Sequence, residues 1–190
     1  MDTTPENQKI QNLVSELKPI DIRSALFKSK DFNFIVTGKD EDGKICTHLK
    51  QEEALQILTA NIVEEFLYGG AAGGAKTWTG CCWLLFMCIN YPGTRWFVAR
   101  KELKDIIDSV YVTFKKVCDT YGFSDYKFNG QKHFIQFGNG SHINLIEVSY
   151  KPSDPMFEGV GSTEYTGGWM EEVGEIHPQA YIVLRTRIGR

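Results

Sequence analysis

Apolar residues recur every three to four positions in several stretches of the chain, which is the spacing of an amphipathic helix. The predicted helices cover residues 10–17, 51–61, 76–89 and 103–121, and a last one begins at Pro178. The stretch 76–89 is apolar on nearly every side, which is typical of a buried helix. Asn90-Tyr91-Pro92-Gly93 ends it.

Shorter apolar runs, bounded by glycine and polar residues, predict strands between these helices. They cover residues 32–36, 44–47, 66–68, 96–99, 132–137, 142–148 and 165–170. The first two are joined across the polar run 39–43, and Gly138-Asn139-Gly140-Ser141 predicts a hairpin turn. From residue 66 onward the order strand, loop, helix, strand, helix favours a parallel sheet with crossover helices.

Composition and charge narrow the class of protein. The chain has 190 residues, 42% hydrophobic and 24% charged, typical of one soluble globular domain with a small appendage. With 21 Lys and Arg against 24 Asp and Glu, it lacks the bulk positive charge that holds a nucleic-acid backbone, so such a contact would need a local patch. The longest apolar run, 81–89, is too short for a membrane span. The odd cysteine count and the absence of a signal-like N-terminus predict reduced thiols in an intracellular protein.

A glycine-rich stretch lies between the predicted strand 66–68 and the helix that begins at Lys76. In the phosphate-loop pattern G-x-x-x-x-G-K-S/T, Gly70 takes the first glycine position and Ala75 takes the second, where a Cβ is unusual. Small residues let backbone N–H groups surround phosphate oxygens, while Lys76 reaches the outer phosphates and the Thr77 hydroxyl holds Mg²⁺. The alternative interpretation is a flexible linker ahead of a helix. The nucleotide-binding candidates are Gly69, Gly70, Ala71, Ala72, Gly73, Gly74, Ala75, Lys76 and Thr77.

Two adjacent acids, Glu171 and Glu172, follow the predicted strand 165–170. Phosphate-loop enzymes that hydrolyse nucleotides need one carboxylate in the Mg²⁺ shell and another that orients and deprotonates water. Neighbouring residues at a strand end point to different sides, so the two acids can take these two roles. A charged turn after a strand is the plainer alternative.

Taken together in this order, these features resemble the ATPase domain of tailed-phage terminase large subunits, the motors of DNA packaging. The resemblance covers residues 49–190 and includes the Walker A-like loop and the Walker B-like acidic pair. Its other motifs are Lys50-Gln51-x-x-Ala54-Leu55, Trp96-Phe97-Val98-Ala99-Arg100-Lys101, Asp108-Ser109-Val110-Tyr111, Phe137-Gly138-Asn139-Gly140-Ser141-His142-Ile143, Phe157-Glu158-Gly159 and Leu184-Arg185-Thr186-Arg187.

The resemblance implies a three-layer α/β P-loop NTPase of the RecA-like, additional-strand type. Its central sheet would be mainly parallel, with a β-hairpin insertion. Residues 1–48 would form a small N-terminal extension and residues 49–190 the ATPase domain. We expect this domain to continue beyond residue 190 and a nuclease domain to follow it, so no DNA cleavage is expected from these residues.

The resemblance also implies roles for single residues. Lys76 and Thr77 would bind the β- and γ-phosphates and Mg²⁺, Glu171 would complete the metal shell, and Glu172 would activate water. Gln51 would contact adenine. An arginine should neutralise the transferred phosphoryl group. The candidates are Arg100, Arg185 and Arg187, for each of which a solvated surface position is the plainer alternative, or else an arginine of a neighbouring subunit.

By the same resemblance, ATP is the substrate, Mg²⁺ the cofactor, and the work is translocation of double-stranded DNA into a procapsid. The implied partners are double-stranded DNA, a portal protein, a small terminase subunit and further copies of the motor, at the procapsid portal in the host cytoplasm. Two alternatives stay open: a helicase-like ATPase acting on nucleic acid, and a nucleotide-dependent assembly module with little turnover. Ala75 and Glu171, which stand where glycine and aspartate are usual, favour the second alternative.

Overall fold

The computed structural model describes residues 37–39, 45–47, 49–59, 63–69 and 75–189. The chain divides into two compact units, residues 1–79 and 80–190. None of the helices in the described ranges is both long and apolar enough to cross a membrane.

Within the first unit, strands β1 (Thr37–Lys39) and β2 (Ile45–Thr47) form an antiparallel pair, and helix α1 (Leu49–Thr59) comes later in the chain. The predicted helix 10–17 and strand 32–36 lie outside the described residues. Lys39, predicted to lie in the turn, is the last residue of β1.

The predicted strand 66–68 is wrong. Residues 65–69 adopt no regular secondary structure, and Leu67 is 81% exposed. Its apolar residues match a strand in composition, but a strand forms only where a neighbour accepts its hydrogen bonds, and none of the described residues pairs with these.

The second unit contains a five-stranded sheet whose strands are β3 (Arg95–Arg100), β4 (Tyr126–Asn129), β5 (Phe134–Phe137), β6 (His142–Glu147) and β7 (Gly167–Met170). Their order across the sheet is β4-β5-β6-β3-β7. β3 pairs in parallel with both β6 and β7, while β5 is antiparallel to β4 and β6, so β5 alone runs against the other four. The predictions of a mainly parallel sheet and of a hairpin are confirmed. β4 was not predicted.

Helices cover both faces of this sheet. On one face, helix α2 (Lys76–Asn90) packs on the strands: the Trp83 and Trp96 rings lie 5.4 Å apart, and a Cβ on Gly80 would come within 2.8 Å of Trp169. Phe97 and Ala99 alternate with Trp96 along β3 and so face the other side. There they join a buried cluster with residues of the C-terminal helix Pro178–Arg185.

The helix after β3 is not uniform. It comprises α3 (Leu103–Asp105), a π-helical segment (Ile106–Tyr111) and α4 (Val112–Thr120); the C-terminal helix Pro178–Arg185 is therefore α5. Cys81 in α2 donates its thiol hydrogen to the Val110 carbonyl in the π-helical segment, at 3.6 Å. A π-helical turn displaces carbonyls from the regular i to i+4 hydrogen-bond pattern, and the Cys81 thiol donates to one of these carbonyls.

The β5–β6 turn is bonded to the C-terminal end of α2. The Asn139 side-chain amide donates to the carbonyls of Cys88 (2.7 Å) and Ile89 (3.4 Å), and the Ser141 hydroxyl donates to the Tyr91 carbonyl (2.9 Å). The last carbonyls of a helix have no partner inside the helix, so these side chains act as a tertiary C-cap. The hairpin and α2 are held together through this turn.

Candidate functional site

Helix α2 begins at Lys76, as predicted, with Thr77 in its first turn. The Ala75 carbonyl accepts the first helical hydrogen bond, from the Thr79 N–H at 3.0 Å, and also accepts from the Thr79 hydroxyl at 3.0 Å. The first turn contains no acidic residue that would offset the partial positive charge of a helix N-terminus. This end of α2 is therefore electrostatically suited to a phosphate.

Ala75, immediately before α2, has a left-handed backbone with φ of 50°. An L-residue pays about 1–2 kcal/mol for that conformation, whereas glycine adopts it freely. Ala75 stands where the phosphate-loop pattern requires its second glycine, and the structure gives it a conformation that glycine prefers. The preceding candidates Gly70, Ala71, Ala72, Gly73 and Gly74 lie outside the described residues, and Gly69 is exposed with open space where a Cβ would stand.

The acidic pair lies at the carboxyl end of β7, beside β3. Glu171 is buried, at 7% exposure, and its backbone N–H donates to the Ala99 carbonyl at 2.9 Å. Glu172 is exposed and has φ of 50° and ψ of 52°, a left-handed conformation rare for a glutamate. Strained non-glycine residues concentrate at functional sites, where the surrounding structure holds them in place. The two carboxylates therefore occupy different environments, one buried and one open to solvent.

Arg100, the last residue of β3, contacts the buried acid. Its Nη1 lies 3.3 Å from Glu171 Oε2, and its Nε lies 3.8 Å from Asp105 Oδ2 in α3. Asp105 was not identified from the sequence, because nothing in its spacing separates it from the other acids of that helix. Only the turn between β3 and α3 brings it to Arg100.

The thiol of Cys81 lies close enough to Glu171 for the two to interact electrostatically. Burial raises the pKa of Cys81 well above its ordinary value, and the neighbouring Cys82 and the Glu171 carboxylate raise it further. The thiol therefore stays protonated and keeps the hydrogen that it donates to Val110. Cys81 is a packing residue next to the acidic pair.

Gln51 is buried in α1, at 3% exposure, and within the described part of the chain its Oε1 has no hydrogen-bond partner. Arg187 lies against Gly161 of the 3₁₀ turn Glu158–Ser162, and its backbone carbonyl accepts from the Tyr165 N–H at 2.8 Å. Arg185 is exposed at the end of α5. Among the three candidate arginines, the structure shows Arg100 in contact with Glu171 of the acidic pair.

No protein-family model matches the chain, and neither does any curated protein. Solved structures do. The large terminase of the thermophilic bacteriophage D6E matches with 14% identity and a TM-score of 0.60, over 74% of this chain and 36% of that one. Its complex with ADP matches with 13% identity and a TM-score of 0.60, over 74% and 36%. Its complex with ATP-gamma-S matches with 15% identity and a TM-score of 0.53, over 71% and 34%.

About three quarters of the chain shares its fold with part of a large terminase. It spans about a third of the length of those terminases. The resemblance drawn from the ordered motifs is confirmed at the level of fold by these TM-scores, although the sequence identity is only 13–15%. The assignment of individual residues to the terminase site stays a prediction.

Proposed function

We propose that the chain is the ATP-binding and ATP-hydrolysing part of a terminase large subunit. The observation that carries the proposal is the environment of the acidic pair: a buried Glu171 and a solvent-exposed, left-handed Glu172 at the carboxyl end of a parallel strand. Ligands of open α/β sheets bind at the carboxyl ends of their parallel strands. The large-terminase fold, which in bacteriophage D6E has been solved with ADP and with ATP-gamma-S, supports the same reading.

In this proposal the start of α2 holds the phosphates. Backbone N–H groups and the helix dipole favour the anion, and the Lys76 ammonium neutralises charge on the outer phosphates. Glu172 accepts a proton from the attacking water, a role that requires solvent access and a carboxylate near the reacting phosphoryl group. The arginine that neutralises this group is predicted among Arg100, Arg185 and Arg187.

Mg²⁺ fits the residues assigned to it. The ion prefers hard oxygen ligands and is commonly held by one or two protein oxygens, the nucleotide phosphates and water. Thr77 supplies a hydroxyl and Glu171 a carboxylate, which are hard oxygen ligands of the kind that this mode of binding uses. When bound, the ion would offset the charge that develops on the phosphates.

The buried amide of Gln51 supports the proposed contact with adenine. A buried acceptor without a partner costs about 1–3 kcal/mol, and a ligand that donates to it recovers that cost. The exocyclic amino group of adenine is such a donor, whereas guanine presents a carbonyl oxygen at the same ring position. We therefore propose a preference for ATP over GTP that depends on Gln51.

DNA translocation and its partners belong to the same proposal. ATP hydrolysis would drive double-stranded DNA into a procapsid together with a portal protein, a small terminase subunit and further copies of the motor. The net charge of −3 means that this chain would hold DNA through local contacts or through its partners.

A three-variant experiment tests the hydrolytic role. Glu172→Gln should reduce Mg·ATP hydrolysis by at least about 100-fold while leaving nucleotide binding intact, because the amide cannot accept the proton of water. Glu175→Gln is the matched control, since Glu175 is also exposed, lies three residues further on and should leave the rate unchanged.

Lys76→Ala should abolish binding. In wild type, Mg·ADP at about 100 times its dissociation constant should add roughly 2.7 kcal/mol to the free energy of unfolding. Hydrolysis by Glu172→Gln at the wild-type rate, or no stabilisation of wild type by nucleotide, would refute the proposal.

A further inference from the structure

Arg100 and Glu171 are held at fixed positions by the backbone of two paired strands. β3 and β7 are parallel, with Ala99 opposite Met170, so Arg100 and Glu171 are the next residues in the same register. The Glu171 N–H donates to the Ala99 carbonyl at 2.9 Å, which extends the ladder to this point. The strand register therefore places the two side chains next to each other.

The pair is largely withdrawn from water. The Arg100 side chain is 18% exposed and the Glu171 side chain 9% exposed, with Nη1 and Oε2 3.3 Å apart. In such surroundings a guanidinium and a carboxylate attract each other far more than an exposed pair does. A cation that binds Glu171 must compete with this guanidinium.

A second carboxylate stands on the other side of the guanidinium. Asp105 Oδ2 lies 3.8 Å from Arg100 Nε, an ion-pair distance too long for a hydrogen bond, and the Asp105 side chain is 44% exposed. Arg100 Nε makes no hydrogen bond among the described residues. A small movement of the guanidinium toward Asp105 would form that bond, so Asp105 offers a second charged acceptor when Glu171 is taken by another cation.

We propose that Arg100 is a positioning residue for Glu171, holding its carboxylate in the nucleotide-free protein and passing to Asp105 when Mg²⁺ takes the carboxylate. This inference rests on the proposed function and adds to it an ion pair that sets the Mg²⁺ concentration needed for nucleotide binding. Asp105 stabilises the metal-bound state because it receives the displaced positive charge. The two residues therefore act on Mg²⁺ binding in opposite directions.

The test measures binding rather than turnover. The probe is a fluorescent ADP analogue titrated with MgCl₂ in the full chain, and the readout is the Mg²⁺ concentration at half-maximal fluorescence change. Arg100→Gln should lower this concentration by about 10-fold, because the competing charge is gone while the amide still donates to the buried carboxylate. Asp105→Asn should raise it several-fold, because the displaced guanidinium loses its charged acceptor.

Two further variants are controls. Arg100→Lys keeps a positive charge next to Glu171 and should stay close to wild type. Arg95→Gln removes an exposed arginine at the opposite end of β3, where it donates to His142 at 2.8 Å, and should change nothing. A merely structural role for Arg100 would lower the thermal stability of both the Arg100→Gln and Asp105→Asn variants without shifting their Mg²⁺ requirements in opposite directions.

The outcomes separate the two levels of the proposal. If wild type binds the ADP analogue but Arg100→Gln leaves the Mg²⁺ requirement unchanged or raises it, the positioning role is overturned and the proposed function stands. If wild type binds no nucleotide at any Mg²⁺ concentration, the proposed function fails, and the positioning role fails with it.

Discussion

The contact between the β5–β6 turn and α2 makes a quantitative prediction for Asn139. Its side chain forms two short hydrogen bonds, donating to the Cys88 carbonyl at 2.7 Å and accepting from the Ser141 N–H at 3.0 Å. Each is worth about 0.5–1.5 kcal/mol net, and because Asn139 is exposed, water recovers part of the loss. Asn139→Ala should therefore lower the free energy of unfolding by about 1.5 kcal/mol, measured by urea titration. At 2–4 °C per kcal/mol for this chain length, the Tm should fall by roughly 3–6 °C.

Asn139→Asp separates the two bonds. It keeps the acceptor for Ser141 but loses the donor to α2 and places a negative charge at the negative end of the helix dipole. We expect a loss similar to that of Asn139→Ala, which shrinks as salt concentration rises because the repulsion is screened. An Asn139→Asp variant as stable as wild type would show that the tie to α2 contributes nothing. Asn129→Ala, which removes hydrogen bonds only to the nearby N–H groups of Gln131 and Lys132, controls for general effects of a turn asparagine.

Three further predictions concern backbone, packing and pH. Gly168→Ala would place a Cβ inside the space of the buried Phe97 ring, so it should cost about 1–3 kcal/mol of unfolding free energy in urea titration. Ala75→Gly should raise the Tm, because it removes the cost of about 1–2 kcal/mol that an L-residue pays for a left-handed backbone. The greater entropy of the unfolded glycine chain offsets only part of this gain. An unchanged or lower Tm would contradict a left-handed backbone at this position. Burial raises the pKa of Cys82 and Cys88, so these thiols keep their protons in the folded protein while the unfolded chain loses them above about pH 8.5. The contribution of each thiol to the free energy of unfolding should therefore be fully present below that pH and fall by up to about 1.4 kcal/mol per pH unit above it. Cys88→Ala should make the free energy of unfolding fall less steeply with pH.

Much of the fold could be predicted from local patterns. Four features could be predicted from the spacing of apolar, glycine and polar residues, because periodicity and turn residues act over a few neighbouring positions. They are the start of α2 at Lys76, the buried strand β3, the hairpin around Asn139 and the acidic pair at the end of β7. The order of the two motifs around Lys76 and Glu171 likewise indicated nucleotide chemistry and the terminase resemblance. These signals are local and need no knowledge of strand order.

The rest depended on distant contacts. Residues 66–68 have the composition of a strand but form none, because a strand is completed by hydrogen bonds to a partner that its own sequence does not specify. β4 was missed for the converse reason: its pairing with β5 decides it. The contact of Arg100 with Glu171 spans 71 positions of sequence and exists because β3 and β7 became neighbours in register. Local sequence thus determined which chemical groups are available, and only the pairing of strands decided which of them meet.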